Sequence, residues 1–251
     1  MSEVLHSPSE MKAWRKNKVG TIGFVPTMGA LHAGHEELIK RARKENDLVV
    51  LSIFVNPTQF NDPKDLAKYP KTWEQDFAMA EMNGVDAVFF PNYEEMYPDK
   101  YRYKVSENDY SLLLDGAHRP GHFDGVLSVV MKLFNLVSPS KAYFGEKDFQ
   151  QLSLIRGMVD AFFMNLEIVP VATVREQDGL AMSSRNTRLT AEERRIAPAI
   201  YKAITESKSA EEATAKLQAQ GFAVDYVTDV GSRRFVAAKL GEVRLIDNVE
   251  I

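Results

Sequence analysis

The chain contains no cysteine among its 251 residues. That absence removes disulfides, thiolate zinc sites and a cysteine nucleophile together. Long hydrophobic runs are missing too. The best apolar stretch, 48–55 (Leu-Val-Val-Leu-Ser-Ile-Phe-Val), is far too short to span a bilayer. The segment up to Lys18 is polar and lacks the apolar core of a signal peptide. Neither sign of charge dominates: 31 Lys and Arg stand against 35 Asp and Glu, a net charge of −4 that offers no broad nucleic-acid footprint. No Gly-x-x-x-x-Gly-Lys-Ser/Thr is present, which excludes a P-loop protein. No Gly-x-Gly-x-x-Gly follows the first apolar strand, which argues against a dinucleotide dehydrogenase, and there is no Gly-x-Ser-x-Gly elbow. These exclusions predict a cytoplasmic enzyme with no membrane and no nucleic-acid partner. The 45% apolar and 26% charged content suits one large or two modest domains.

What is present alternates. Ser7-Pro8-Ser9-Glu10 reads as a capping box with proline at the first helical position, so a helix is expected over 8–17. Strand 20–25, helix 34–46, strand 48–55, helix 73–83 and strand 86–90 follow. Helix 122–137, strand 141–144, helix 147–160 and strand 166–172 complete the pattern. Strand 48–55 is apolar throughout, as in a parallel sheet covered on both faces. The expected fold is α/β: a Rossmann-like, doubly wound parallel sheet over 1–172 with ligands at the carboxyl ends of its strands. From 173 to 251 the pattern becomes two helices (190–206, opened by Thr190-x-x-Glu193, and 209–220) and short strands near 223–229, 234–238 and 243–247. This predicts a smaller α+β domain with a lid role.

The densest signal is Phe24-Val25-Pro26-Thr27-Met28-Gly29-Ala30-Leu31-His32-Ala33-Gly34-His35. An apolar strand stops at Pro26, a glycine-containing turn follows, and an amphipathic helix begins. The first helical turn exposes unpaired N–H groups and the positive dipole end, so an anion is favoured there. His32 and His35 add donors that can follow charge growing on a phosphate. The plain alternative is a strand–helix turn with two surface histidines. Downstream, Leu180-Ala181-Met182-Ser183-Ser184-Arg185-Asn186 supplies hydroxyls and a guanidinium suited to a departing pyrophosphate. Its Met-Ser-Ser-Arg resembles the mobile Lys-Met-Ser-Lys-Ser loop of nucleotidylyl transferases and class I aminoacyl-tRNA synthetases, and His32-Ala33-Gly34-His35 resembles their His-x-Gly-His signature. Each is weak alone; the pair in this order is specific.

Other segments carry more polar side chains than packing needs. Asn56 and Gln59 follow the buried strand 48–55. Gly145-Glu146-Lys147-Asp148 turns into a helix whose first turn offers Lys147 to a phosphate and Asp148 to a ribose or metal. The alternative is a solvated lysine and a dipole-stabilising aspartate. Gly116 to Phe123 reads either as a rigid loop aiming Arg119 at an anion or as a surface turn. The histidine pairs 32/35 and 118/122 raise a metal site, but Pro120 and Gly121 interrupt the second and no carboxylate stands at ligand spacing.

Five segments together, 26–35, Ser52–Phe60, Arg119–Phe123, Phe144–Gln151 and Met182–Asn186, resemble the pantoate–β-alanine ligase family over about 20–200, with Arg244-Leu245-Ile246-Asp247-Asn248 echoing the family's end. The resemblance implies ATP-driven condensation of pantoate with β-alanine through a pantoyl adenylate. By it, His35 is catalytic at the α-phosphate. ATP is held by Met28, Gly29, Ala30, Leu31, His32, Ala33, Gly34, His35, Gly145, Glu146, Lys147, Asp148, Val174, Met182, Ser183, Ser184 and Arg185. Gln59 and Gln151 hold pantoate, and Gln59 also lies near β-alanine. The resemblance further implies Mg2+ bridging the phosphates, with Asp76 a possible ligand although Gln75 stands where a second acid is common, and a homodimer. The stretch 205–221 is shorter than in many relatives.

Two rivals remain at this level. A nucleotidylyl transferase acting on a phosphorylated precursor would share the histidine motif, but not the two glutamines; pyrophosphate release that depends on pantoate separates the two. A non-catalytic nucleotide-binding regulator is eliminated by any turnover.

Overall fold

Apolar side chains on both faces of Ile22–Thr27 and Leu48–Ile53 make these the central strands of a sheet covered on both sides. The computed structural model describes residues 2–251; Met1 lies outside them. The first elements are β1 (Glu3–Leu5), α1 (Pro8–Lys16), β2 (Ile22–Thr27), α2 (Ala33–Glu45), β3 (Leu48–Ile53), α3 (Pro63–Ala67), α4 (Trp73–Met82) and β4 (Ala87–Phe89). There follow α5 (Tyr93–Met96), α6 (Asp115–His118), α7 (His122–Val137), β5 (Lys141–Gly145), α8 (Phe149–Ala161) and β6 (Glu167–Val171). The remainder is α9 (Ala191–Ile196), α10 (Ala199–Glu206), α11 (Ala210–Ala219), β7 (Ala223–Val230), β8 (Arg233–Leu240) and β9 (Val243–Glu250).

Two compact units divide the chain: the residues up to Gly145 with Gln150–Val171, and Glu146–Phe149 with Ala172–Ile251. The first holds six parallel strands in the order β1-β4-β3-β2-β5-β6. The expected Rossmann-like fold is therefore present. The chain leaves β2 toward β3 and later returns as β5 on its other side, so the crevice at their carboxyl ends is the switch point where such sheets bind ligands. Its core joins Val25, Ile39, Leu51, Val88 and Tyr143, all fully buried. The second unit packs α10 and α11 on the antiparallel sheet β7-β8-β9 around Ile200, Leu217, Val236 and Ala238.

Several boundaries differ from expectation for physical reasons. β1 was not anticipated: three residues acquire strand character only by pairing Glu3–Leu5 with the remote Ala87–Phe89. The single helix expected over 190–206 is two, α9 and α10, separated at Pro198, whose ring and missing N–H interrupt a helix. The helix expected from 147 begins at Phe149, after a 3-10 turn Glu146–Asp148. The three C-terminal strands run longer than their apolar stretches, because pairing continues through polar partners such as Arg233 and Glu250.

Candidate active site

The signature turn opens at the carboxyl end of β2 and leads into α2. His32 is the N-cap of α2, and its Nδ1 accepts the Gly34 N–H at 3.2 Å. His35 stands three residues on, and its Nδ1 accepts the His32 N–H at 3.3 Å. This is a capping box built from two imidazoles. A backbone N–H can only donate, so both Nδ1 atoms are acceptors and each neutral ring carries its proton on Nε2. Two Nε2–H donors result, with ring centroids 4.1 Å apart.

Most N–H groups of the segment leading into α2 are engaged within the protein. Gly29 donates to Thr27 Oγ1, Ala30 and Leu31 to Asp76, and His32 and Gly34 to the imidazoles. Five donors are thus satisfied within the protein.

Asp76, expected as a possible metal ligand, is 2% exposed and serves the turn instead. Its Oδ2 accepts from Ala30 at 2.9 Å, and its Oδ1 from Leu31 at 2.8 Å and Thr72 Oγ1 at 3.0 Å. Among the described residues no three His, Asp or Glu side chains cluster to hold a metal. That includes the 118/122 pair.

Gln59 ends the 3-10 turn Pro57–Gln59, which packs against α7. The approach is close: a Cβ on Gly125 would lie 2.4 Å from the Thr58 carbonyl oxygen, so glycine is required there. The Gln59 amide donates to Met28 Sδ at 3.1 Å and accepts from Asn56 Nδ2 at 3.1 Å. Asn56 is buried, and its Oδ1 accepts from Thr58 and from the Tyr97 hydroxyl at 3.1 Å. Burial pushes the Tyr97 phenol up to about 12, so it remains a donor.

The Arg119 loop, read from sequence either as an anion-directed loop or as a surface turn, supports Gln59. Arg119 Nη2 and His122 Nδ1 both donate to the Gln59 carbonyl, at 3.2 and 2.8 Å. Arg119 Nη1 donates to His122 Nε2 at 3.0 Å, which fixes the tautomer of that ring. Two neighbouring glutamines separate clearly. Gln150 is buried and tied to Tyr110, Leu113 and Asp115 backbone groups, whereas the side chain of half-buried Gln151 makes no hydrogen bond among the described residues.

In the second unit, Asn248 Nδ2 donates to the carbonyls of Glu146 and Lys147, at 3.0 and 2.9 Å. Asn248 thus ties the 3-10 turn Glu146–Asp148 to β9. Lys147 and Asp148 sit 3.7 Å apart on that turn. Asn248 was not anticipated as a site residue; only its place in the C-terminal motif signalled it. Val174 accepts from the Met182 N–H at 3.0 Å, tying two more expected residues together. Ser183 caps the 3-10 turn Ser184–Arg188, and Asn186 anchors it through Glu176 and the Ala181 carbonyl. Gly145 ends β5.

The family model described as pantoate-beta-alanine ligase matches residues 3–250. The chain belongs to the pantoate-beta-alanine ligase family. A pantothenate synthetase of Bdellovibrio bacteriovorus is 80% identical over 251 residues, 100% of both chains. One from Legionella pneumophila strain Lens is 53% identical over 228 residues, covering 91% of this chain and 90% of its own. Two solved ligases of the family share the fold. That of Francisella tularensis, complexed with beta-gamma ATP and beta-alanine, has a TM-score of 0.95 at 41% identity, covering 100% of this chain and 98% of its own. That of Thermus thermophilus has a TM-score of 0.92 at 42% identity, with 99% of each covered. An enzyme of this family ligates pantoate to β-alanine, and the rival readings as a nucleotidylyl transferase or a non-catalytic regulator fall away.

Proposed function

We propose that the chain condenses pantoate with β-alanine in two steps driven by ATP, and that the histidine capping box is its adenylation centre. A pantoate carboxylate oxygen attacks the α-phosphorus while the bond to the pyrophosphate oxygen breaks, giving pantoyl adenylate. The β-alanine amine then attacks the acyl carbon, AMP leaves with the carbon–oxygen electron pair, and the nitrogen sheds a proton. The carrying observation is the Nε2–H tautomer imposed on both rings by the bonds His32 N–H to His35 and Gly34 N–H to His32. Neutral donors held on a rigid helix end stabilise charge as it grows on phosphate without reorganising.

Gln59 and Gln151 are assigned to pantoate. Amides can bond its hydroxyl and carboxylate without the full charge that would immobilise the nucleophile. The unspent amide of Gln151 supports this, as does the threefold anchoring of Gln59 by Asn56, Arg119 and His122. In the second unit, Lys147, Ser183, Ser184 and Arg185 are assigned to ATP, and that unit to the lid role. Mg2+ fits as an ion carried on the phosphates, since it keeps waters and takes only one or two carboxylates. Exposed Asp148 is the available carboxylate, and the ion would neutralise phosphate charge. Homodimer formation and a cytoplasmic site of action complete the reading. Among the described residues no helix is long and apolar enough to cross a membrane.

Pantoate-dependent ATP–pyrophosphate exchange without β-alanine is the deciding assay. Exchange that needs pantoate supports the adenylate route. Product formation with no exchange and no AMP would refute it.

A further inference from the structure

The signature turn contains two consecutive left-handed residues, Gly29 at φ 80° and Ala30 at φ 51°. Glycine adopts this region freely, but alanine does so rarely, because its Cβ crowds the following carbonyl. Something must hold Ala30 there. Its N–H and that of Leu31 point at the two oxygens of one carboxylate, Asp76, at 2.9 and 2.8 Å. Two successive peptide planes fixed by one planar group cannot rotate independently. Thr72 Oγ1 holds the carboxylate from the start of α4. A Cβ on Gly29 would lie 3.0 Å from Asp76 Oδ2 and 3.0 Å from Ile53 Cγ2, so the turn rests directly on these groups. The next donors along the chain, His32 and Gly34, are those that orient the imidazoles.

We infer that Asp76 is a positioning residue for adenylate formation: it locks Ala30 in its left-handed conformation and thereby aims the Nε2–H groups of His32 and His35. This rests on the proposed role of those rings. The buried carboxylate is bonded by the Ala30 and Leu31 N–H groups and the Thr72 hydroxyl.

The test compares Asp76→Asn, Ala30→Gly, the double variant and Thr72→Val in the full-length enzyme. The asparagine amide keeps one acceptor but turns an N–H toward a backbone N–H. Asp76→Asn should slow pantoate-dependent exchange about 10–100-fold, as expected for a small misplacement of reacting groups. KM for pantoate should move little, and conversion of supplied pantoyl adenylate with β-alanine should be largely spared. Ala30→Gly alone gives the reference rate against which the double variant is read. Against that reference Asp76→Asn should lower exchange much less than it does with alanine at position 30, because glycine enters the left-handed region without a steric penalty. Equal loss in both half-reactions with no rescue by glycine would make Asp76 a purely structural residue. Wild-type exchange in Asp76→Asn would also overturn the inference. If Asp76→Asn fails to fold, Thr72→Val decides: a selective fall in exchange supports positioning, and none refutes it. A His35→Ala enzyme with normal exchange would instead overturn the reading of the histidines themselves.

Discussion

His35 Nδ1 accepts the backbone N–H of His32, so the two signature rings are joined through the helix cap that both build. The cap and the proposed chemistry use different atoms of the same ring, and substitutions can separate them. Glutamine is a normal partner at this position of a capping box. His35→Gln should therefore keep the melting temperature while lowering exchange. His35→Ala should lower exchange about 10²–10³-fold, a loss of about 2.7–4 kcal/mol for one donor at a developing charge. Near-wild-type exchange in a folded variant would remove His35 from the mechanism.

Gln59→Ala and Gln151→Ala should both raise the pantoate requirement well above any change for ATP, by about 1–3 kcal/mol each. They should differ in stability. Gln151 has no internal bond to lose, whereas removing Gln59 deprives the buried Asn56 of a partner. Titration of initial rate against each substrate, beside thermal melts, checks both halves. A fall in ATP affinity alone would mean the pocket is wrongly assigned.

Arg185→Ala should depress exchange strongly yet spare the reaction of supplied pantoyl adenylate with β-alanine, since pyrophosphate leaves in the first half-reaction only. Lysine at 185 should rescue in part, because a point charge lacks the planar fork. Equal damage to both half-reactions would show the loop to be structural.

Asn248→Ala should raise the ATP requirement without touching that for pantoate. Its amide holds the Glu146 and Lys147 carbonyls, and its Oδ1 accepts Arg233 Nη1 at 2.6 Å. Leaving these groups unpaired costs about 1–3 kcal/mol of stability as well. Calorimetry with a non-hydrolysable ATP analogue reads the first effect, and unchanged analogue binding would refute it.

Asp229 predicts an acid limit for the second unit. The Arg234 guanidinium donates to both its oxygens, at 2.7 and 2.8 Å, and holds its carboxyl below the usual aspartate range. A folded-state value below the unfolded one stabilises at pH above the unfolded value, about 3.9. That stabilisation is lost as pH falls through the depressed folded value, where Arg234, 2% exposed, is left without its counter-ion. Asp229→Asn should destabilise at neutral pH and flatten the melting temperature between about pH 5 and 2. An unchanged acid slope would place the limit elsewhere.

Much of the fold was legible because its signals are local. The caps at Ser7 and Thr190 form as their spacing predicts, each with its glutamate three residues on. The long apolar helix His122–Val137 matches its pattern residue for residue. The alternation of strand and helix, the signature turn and its two histidines were likewise readable within short windows. What the histidines do with their nitrogens was not. Whether a turn's N–H groups stay open for a ligand depends on whether a distant side chain takes them, and Asp76 lies 46 residues from Ala30.

By itself the sequence determined the strand–turn–helix order, the chemistry on offer and the family to which the chain belongs, since each rests on residue identity and near spacing. Only the tertiary structure decided which polar groups were spent on the protein and which remained for substrate. Gln150 and Gln151 are adjacent and chemically identical, yet only the first is tied to the loop at 110–115. Asn248 reaches Lys147 across 101 residues. A hydrogen bond saturates its donor once made, and across such separations its partner is chosen by the folded path of the chain rather than by local pattern.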